Sequence, residues 1–487
     1  MIGRFAWRGL LVLVTLAPMS LSAQGIRGSL LTTARYIQLQ PLDTLGIPRD
    51  SVTEIGQGQY AFGGAPAYCI TADRCMQYRA GAVQGATVLT QDLGFTAWGL
   101  GMQGLSATVQ LRGRANGGAI TWPQSDHAFD AILAYLELNR SLLRLRLGRL
   151  RTLSGLGFAG YDGADIRLDP IRMLHVEAYG GRSLARGLEQ PVNDALQGIE
   201  AFVQDQNAYL MGGALNLQPI PGTALGLRYQ REVWADGSGL LSERASADFQ
   251  TALLNPVQLD AAADYDFAFG RVGKAHVTAR VPVRPAGLIV EVTGRRYVPY
   301  FDLWTIWGMF GPVAYNEGLV QLRWSPLPTL DAWGMVGMRK YDDTSTPTAL
   351  TPLQGEGRRA GGGARIKGPE YLTFTGSFNR EWGNGAAMSS GSLAAVWSRN
   401  DRLAVTVRST AFQQVQEFRV GQGMVLGIGG SLDIGLTERV DLSGGADLYR
   451  QTFKDQPGAL DWNQLRGWMT FRIGFGEDPG MRQEVGR

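Results

Sequence analysis

The chain has 487 residues, of which 45% are hydrophobic and 18% charged, and its formal net charge is +3. Such a weak charge excludes the strongly basic field that a nucleic-acid-binding protein needs. No segment after residue 25 approaches the roughly 18 consecutive apolar residues of a membrane-spanning helix, so a helical membrane protein is excluded as well.

The first 23 residues have the layout of a secretory signal peptide. Arg4 and Arg8 give a basic start, 10–17 form a short apolar core, and small residues lead to a predicted cleavage site after Ala23. No cysteine follows the core, which argues against a lipoprotein anchor. Subtracting Arg4 and Arg8 from the 46 Lys+Arg leaves 44 against 43 Asp+Glu. The exported chain is therefore expected to be nearly neutral.

A long insertion, 41–85, follows a first predicted strand at 28–40. It exceeds the length of an ordinary turn, so it is predicted to be an extracellular loop or an inward-folded constriction. Cys69 and Cys75 are expected to form a disulfide within it, because the protein is exported. A metal site has less support, since there is no second Cys pair and the chain has only 3 His. No haem motif is present, and no cofactor is expected.

Two hairpins can be built from 129–179. With Arg140 and Ser141 at the first turn, Glu137 faces Arg144, and Leu136 faces Leu145 on the other side. With 170–172 at the second turn, Arg167 faces His175. One face of each hairpin is aliphatic and the other is charged. The charged positions, taken as candidates for a pore lining, are Glu137, Arg144, Arg146, Arg149, Asp165, Arg167, His175 and Glu177.

The same period-two alternation continues to a last predicted strand at 461–475. The strands of a soluble β-sandwich also alternate apolar and polar side chains, but their solvent-exposed face carries scattered polar residues rather than concentrated arginines and acids. Short turns alternate with longer connections along the chain, as in outer-membrane barrels. We therefore predict an all-β fold, a transmembrane antiparallel up-and-down barrel of about 22 strands (range about 18–24). It spans 24–475 and is followed by a periplasmic tail, 476–487.

Two segments resemble the core of bacterial outer-membrane porins of the alginate-export type. They are Leu147-Gly148-Arg149 and the stretch from Tyr161 to Arg167, which reads Y-D-G-A-D-I-R. The resemblance covers about a tenth of the chain. It implies a barrel in which inward arginines and acids line a constriction for a uronic-acid polymer. The matching arginines are Arg144, Arg146, Arg149 and Arg167.

Three functions are compatible with a barrel of this kind. The first is a porin-like channel for small polar or charged solutes, with Arg and Asp/Glu lining the lumen. The second is a scaffold or sheath for an exported partner, such as an export machine or a redox protein. The third, with least support, is a lipase-type enzyme, because His127, His175 and His276 offer no recognisable Ser-His-acid set. A non-enzymatic role is predicted.

The predicted surroundings are the cell outer membrane and its lipids. Small polar solutes are the expected ligands. The sequence leaves open whether the barrel is a homotrimer or binds a periplasmic partner protein. It also leaves open which connection narrows the pore, and the candidates are 41–85, 183–207 and 298–314.

Overall fold

The computed structural model describes residues 24–477 with several gaps. The gaps are 41, 57–58, 64, 70, 72, 120–127, 185–206, 238, 255, 284–285, 299–313, 343–355, 384–388, 401, 414–422 and 454–460. The predicted signal peptide, His127, nearly all of the predicted tail and most of the candidate constrictions 183–207 and 298–314 therefore lie outside the described residues. Within the described residues, no helix is long and apolar enough to cross a membrane.

Alternating side chains produce β-strands along the whole described chain, and the only helix in it is a single 3-10 turn, Arg49–Ser51. In chain order the strands are β1 Gly25–Leu39, β2 Leu42–Pro48, β3 Thr53–Gly56, β4 Gln59–Phe62, β5 Ala65–Cys69, β6 Arg74–Ala80, β7 Gln84–Trp98, β8 Leu105–Gly118, β9 Phe129–Asn139, β10 Leu143–Ser154, β11 Gly157–Ile171, β12 Leu174–Ser183, β13 Ala208–Ile220, β14 Thr223–Trp234, β15 Leu240–Leu254, β16 Val257–Asp266, β17 Arg271–Val283, β18 Leu288–Tyr297, β19 Tyr315–Leu327, β20 Leu330–Tyr341, β21 Glu356–Lys367, β22 Leu372–Gly383, β23 Ser389–Asn400, β24 Leu403–Gln413, β25 Gly423–Thr437, β26 Val440–Phe453 and β27 Trp462–Gly476.

Strands β1 and β7–β27 form one closed antiparallel sheet of 22 strands. Neighbours in sequence are neighbours in the sheet, and the barrel closes where β1 pairs with β27, with Gly28 opposite Phe475. The other edge of β1 pairs with β7, where Gly28 lies opposite Phe95. Closure leaves no unpaired sheet edge, which is the condition that a lipid surrounding imposes. The predicted fold class and strand number are confirmed.

The connections fall into two groups, as the sequence indicates. Those on the same side of the barrel as both ends of the sheet are short, from two residues at 221–222 to six at 99–104. Those on the opposite side are mostly longer and reach 24 residues at 184–207, apart from the 44 residues, 40–83, between β1 and β7. The β10–β11 turn, 155–156, is the shortest connection on the longer side. Short turns on one side and longer loops on the other are typical of outer-membrane barrels.

The 41–85 insertion folds into a small sheet of its own, which we call the arm (β2–β6). Its strand order is β2-β6-β5-β4-β3. β2 comes directly after β1, and β6 leads directly into β7. The predicted disulfide joins Cys69 to Cys75 across β5 and β6. The Arg79 guanidinium donates a hydrogen bond of 2.9 Å to Asp43, which holds the pKa of that carboxyl below its usual range. The arm was predicted only as a loop or constriction.

The predicted hairpin registers are wrong by two residues, although the faces are correct. Arg140 and Leu143 exchange both backbone hydrogen bonds, so the first turn lies one residue later than predicted. Glu137 consequently lies opposite Arg146, not Arg144. In the second hairpin a β-bulge between Leu168 and Ile171 shifts the pairing, so that Arg167 lies opposite Glu177 rather than His175. Since side chains alternate with period two, a shift of two keeps the paired residues on their predicted faces. Arg149, a predicted pore-lining candidate, is the exception, because it shares the face of Leu147.

Candidate functional site

One face of the barrel wall is apolar and exposed, while the other gathers charged groups. On the apolar face, Leu147 is 48% exposed and Ile166 is 39% exposed. On the polar face, Asp165 is only 1% exposed. Register partners share a face, so Arg146 opposite Asp165, and Arg144 opposite Arg167, define the polar face of β10 and β11.

Asp165 is the centre of the first charge cluster. Arg146 Nε donates to Asp165 Oδ1 at 3.0 Å. Arg144 Nη2 lies 3.7 Å from the same oxygen and 3.7 Å from Glu177 Oε2 on β12. Four of the predicted candidates therefore meet at one place on the polar face. Their charges balance pairwise, which lowers the cost of burying Asp165.

A second group of predicted candidates lies closer to the short turns. Arg167 Nε donates to Asp169 Oδ1 at 2.8 Å, and His175 Nδ1 lies 2.5 Å from the same oxygen. Arg167 Nη2 is also 3.0 Å from His175 Nδ1. Asp169, which the prediction did not include among the candidates, thus joins two of them. The remaining acid, Glu137, lies opposite Arg146 in the register.

The register separates Arg149 from the other candidates. Arg149 lies opposite Asp162, on the face that carries Leu147 rather than Arg146. Its Nε donates to Asp162 Oδ1 at 2.8 Å, and its Nη1 donates to the Ala131 carbonyl at 3.0 Å. The pairing of β10 with β9 ends at Arg149. Arg149 therefore hydrogen-bonds to both β9 and β11 at the point where β10 separates from β9.

Beyond Arg149 the β10–β11 hairpin departs from the wall. The pairing of β11 with β12 begins only at Tyr161, so residues 150–160 pair with each other and with neither flanking strand. Gly148 has a φ of +132°, and a Cβ there would meet the Ala134 carbonyl at 2.2 Å. Only glycine fits such a position, which allows the strand to bend there. We call 150–160 the crossing hairpin.

The tip of the crossing hairpin contacts β14 and β15, which lie three and four strands from β11 in the sheet. Arg244 Nη1 on β15 donates to the Leu156 carbonyl at 3.1 Å. Arg228 Nη1 on β14 donates to Thr152 Oγ1 at 3.3 Å. An ideal Cβ on Gly155 would lie 3.4 Å from Ser246 Oγ. The hairpin therefore passes β12 and β13 and docks against the polar face of β14 and β15.

Apolar packing holds the crossing hairpin along its length. Leu150, Ala159 and Tyr161 form a buried cluster with Tyr179 of β12 and Leu210 of β13. The rings of Tyr161 and Tyr179 stack with their centroids 5.7 Å apart. Leu150 and Tyr161 lie on the face that carries charges lower in the same strands. This break in the alternation was visible in the sequence, and the prediction missed it.

A further charge cluster lies on β18–β22, centred on the buried Glu317. Arg339 Nε is 2.9 Å and Arg359 Nε is 2.8 Å from Glu317 Oε1, and Arg295 forms a third ion pair with it. Glu381 adds a second carboxylate 3.4 Å from Arg339 Nη1. Three arginines against two acids give this cluster one net positive charge. Period-two alternation predicts these strands, but the register that assembles the cluster cannot be read from any one of them.

Nothing in the described residues groups three or more His, Cys, Asp and Glu side chains as a metal site would. His175 and His276 each contact one aspartate, Asp169 and Asp260, at 2.5 and 2.9 Å. Each is a contact between a histidine and an aspartate of the neighbouring strand rather than a nucleophile-base arrangement.

No family model and no curated protein matches the sequence. Among solved structures, a BenF-like porin from Pseudomonas fluorescens Pf-5 is 10% identical, with 92% of this chain and 99% of that chain covered and a TM-score of 0.40. A mutant of the ferric enterobactin receptor PfeA from Pseudomonas aeruginosa is 9% identical, with 92% and 80% covered and a TM-score of 0.48. OccK3 (OpdO) from Pseudomonas aeruginosa is 10% identical, with 93% and 96% covered and a TM-score of 0.37. These likenesses are too weak to carry an argument about function, and the resemblance to alginate-export porins stays a prediction.

Proposed function

We propose that the chain forms an outer-membrane channel for small polar or charged solutes, narrowed by the crossing hairpin. The observation that carries this proposal is the closed 22-stranded barrel with one exposed apolar face and one charged face. A closed barrel is the β-structure that a bilayer tolerates, because every backbone group is paired. If the apolar face contacts lipid and the charged face contacts a water-filled lumen, each face meets surroundings of matching polarity.

A barrel of this strand number is wider than its own side chains can fill. The crossing hairpin supports a narrowed passage, because it leaves the wall at Arg149 and docks against β14 and β15. The candidates Glu137, Arg144, Arg146, Asp165, Arg167, His175 and Glu177 would line the passage below it. Because the opposite charges are in close contact, we expect the passage to select only weakly between anionic and cationic solutes.

Solute entry into liposomes tests the proposal. Vesicles containing the refolded chain should swell in isotonic solutions of small sugars and stop swelling above a limiting solute size. Replacing 152–159 by Asn-Gly should raise that limit, because it removes the part of the hairpin that docks on β14 and β15. A matched variant that replaces 44–78 of the arm by Asn-Gly should leave the limit unchanged. A correctly folded barrel that supports no swelling in any variant contradicts the channel.

A scaffold for an exported partner is the second candidate, and the arm favours it. This five-stranded sheet, held by the Cys69–Cys75 disulfide, extends from β1 and β7 and is not needed to close the barrel. Under this alternative the folded chain conducts nothing, and deletion of 44–78 abolishes co-purification of an exported protein that binds on the side of the barrel opposite the chain ends. Solute flux through the wild-type chain would exclude a role as scaffold alone.

A further inference from the structure

A group of three cations lies on the apolar face near the longer connections. Lys340 is one residue from the end of β20, Arg358 two residues into β21, and Arg380 three residues from the end of β22. The register places Arg358 between Met338 on one neighbour and Trp382 on the other. The three Cα atoms are therefore within roughly 10 Å of their nearest neighbour in the group, from strand spacing and rise. We call this group the basic patch.

The side chains of the basic patch are exposed and are not held in ion pairs. Lys340, Arg358 and Arg380 are all exposed, and within the described part of the chain none of them forms an ion pair. A nearby cation on the same face behaves differently, since Arg296 Nη1 of β18 donates to Asp342 Oδ1 at 2.6 Å. The guanidinium of Arg380 instead lies 6.0 Å from the ring of Trp382. Glu356, which is exposed and lies opposite Lys340 in the register, subtracts one charge, so the wall presents three cations against one carboxylate, a net charge of +2, at this spot.

Exposed apolar side chains continue directly from the basic patch towards the short-turn side. Met338 is two residues from Lys340 on β20, Phe378 is two residues from Arg380 on β22, and both are exposed. Val336, the next outward residue on β20, is 59% exposed. If the apolar face contacts the acyl chains of the membrane, as proposed above, the basic patch therefore lies at the edge of that apolar surface, on the side of the longer connections. Headgroup phosphates lie at that boundary, and Trp is favoured there.

We propose that the basic patch binds the phosphate groups of a lipid in the outer leaflet, while Met338, Val336 and Phe378 contact its acyl chains. Guanidinium groups bind phosphate through paired, charge-assisted hydrogen bonds, and lysine adds a point charge. A free phosphate would use the charges alone, whereas a lipid also uses the adjoining apolar surface. This inference rests on the proposed outer-membrane location and adds a lipid site to the outside of the wall.

Native mass spectrometry of the refolded chain, titrated in micelles with lipid A carrying two phosphates, tests the proposal. The variant K340Q/R358Q/R380Q should bind at least about tenfold more weakly, since each cation near a charged membrane surface contributes measurably. The matched control R140Q/R172Q/R402Q removes three exposed arginines from the short turns and should bind like wild type. Inorganic phosphate at millimolar concentration should not displace the lipid.

Equal lipid A binding by the wild type and the basic-patch variant would overturn the proposal. Displacement by inorganic phosphate alone would overturn it too, because the site would then be a simple anion site without the acyl contacts. Liposome swelling measured on the same variants separates this outcome from failure of the channel. The basic-patch variant should retain wild-type swelling, so a loss of lipid binding with normal solute flux supports the proposal.

Discussion

Docking of the crossing hairpin against β15 can be tested by a designed cross-link. An ideal Cβ on Gly155 would lie 3.6 Å from Ser246 Cβ. Disulfides need Cβ atoms about 3.5–4.5 Å apart, so the pair Gly155→Cys and Ser246→Cys meets that requirement. Gly155 also lies outside the left-handed region that favours glycine, so a cysteine there adds no backbone strain. The double variant should therefore oxidise to a cross-linked hairpin.

The contacts of the tip indicate how completely the hairpin is docked. The bond from Arg244 to the Leu156 carbonyl is charge-assisted and contributes about 1.5–3 kcal/mol. This alone favours the docked hairpin by roughly 10- to 150-fold. The bond from Arg228 to Thr152 and the burial of Leu156 add to it. Cross-linking should accordingly run to completion, and adding Arg244→Gln should raise the undocked fraction by roughly tenfold while leaving most of the hairpin docked.

Peptide mapping by mass spectrometry, with and without reductant, reports the new disulfide separately from Cys69–Cys75. The matched control pairs Gly155→Cys with Ser392→Cys, which lies on β23, eight strands further along the sheet than Ser246. This control should stay reduced at position 155. Failure of the Gly155–Ser246 pair to oxidise in a folded barrel, or equal oxidation of the control, would refute the docked position and the constriction built on it.

Three further predictions concern the wall and the arm. Glu317→Gln leaves Arg295, Arg339 and Arg359 without their shared carboxylate, so the free energy of unfolding measured in urea should fall by about 3–5 kcal/mol. The same variant should shift the reversal potential towards anions. In the control Glu291→Gln, whose partner Arg280 is half-exposed, the free energy of unfolding should fall by less than about 1 kcal/mol. Gly429→Ala places a Cβ 1.9 Å from Asp447 Oδ1, so it should cost about 1–3 kcal/mol of unfolding free energy, whereas Gly294→Ala, with nothing within 4 Å, should not. Cys69→Ser with Cys75→Ser should speed proteolysis of the arm and leave conductance unchanged, and a lower conductance would contradict a separate arm.

The sequence predicts the barrel because period-two alternation is local. Each strand reveals its two faces within about ten residues, and closure follows from the needs of paired backbone groups. Register is less local, since it depends on turn details. Ser141 and Leu142, rather than Arg140 and Ser141, occupy the first turn, and that difference moved Glu137 from Arg144 to Arg146. Faces survive such an error, but contacts between charges do not.

The crossing hairpin could be predicted only in part. Leu150 and Tyr161 interrupt the charged face, which signals that this part of the hairpin is buried. Its docking partners Arg228 and Arg244 lie 76 and 88 residues further along the chain from Thr152 and Leu156, and no local pattern connects them. The cluster on Glu317 is similar, because it is assembled by the register of successive strands. Long-range contacts of this kind require the folded wall.

Single-channel conductance of the refolded chain in a planar bilayer, with the reversal potential in a salt gradient, tests the proposed channel most directly. We expect a stable conductance for the wild type. Arg144→Ala, Arg146→Ala and Arg167→Ala together should shift the reversal potential towards cations, because three positive charges leave the lumen wall. A correctly folded wild-type barrel without conductance, or an unchanged reversal potential in the triple variant, would contradict a channel lined by these residues.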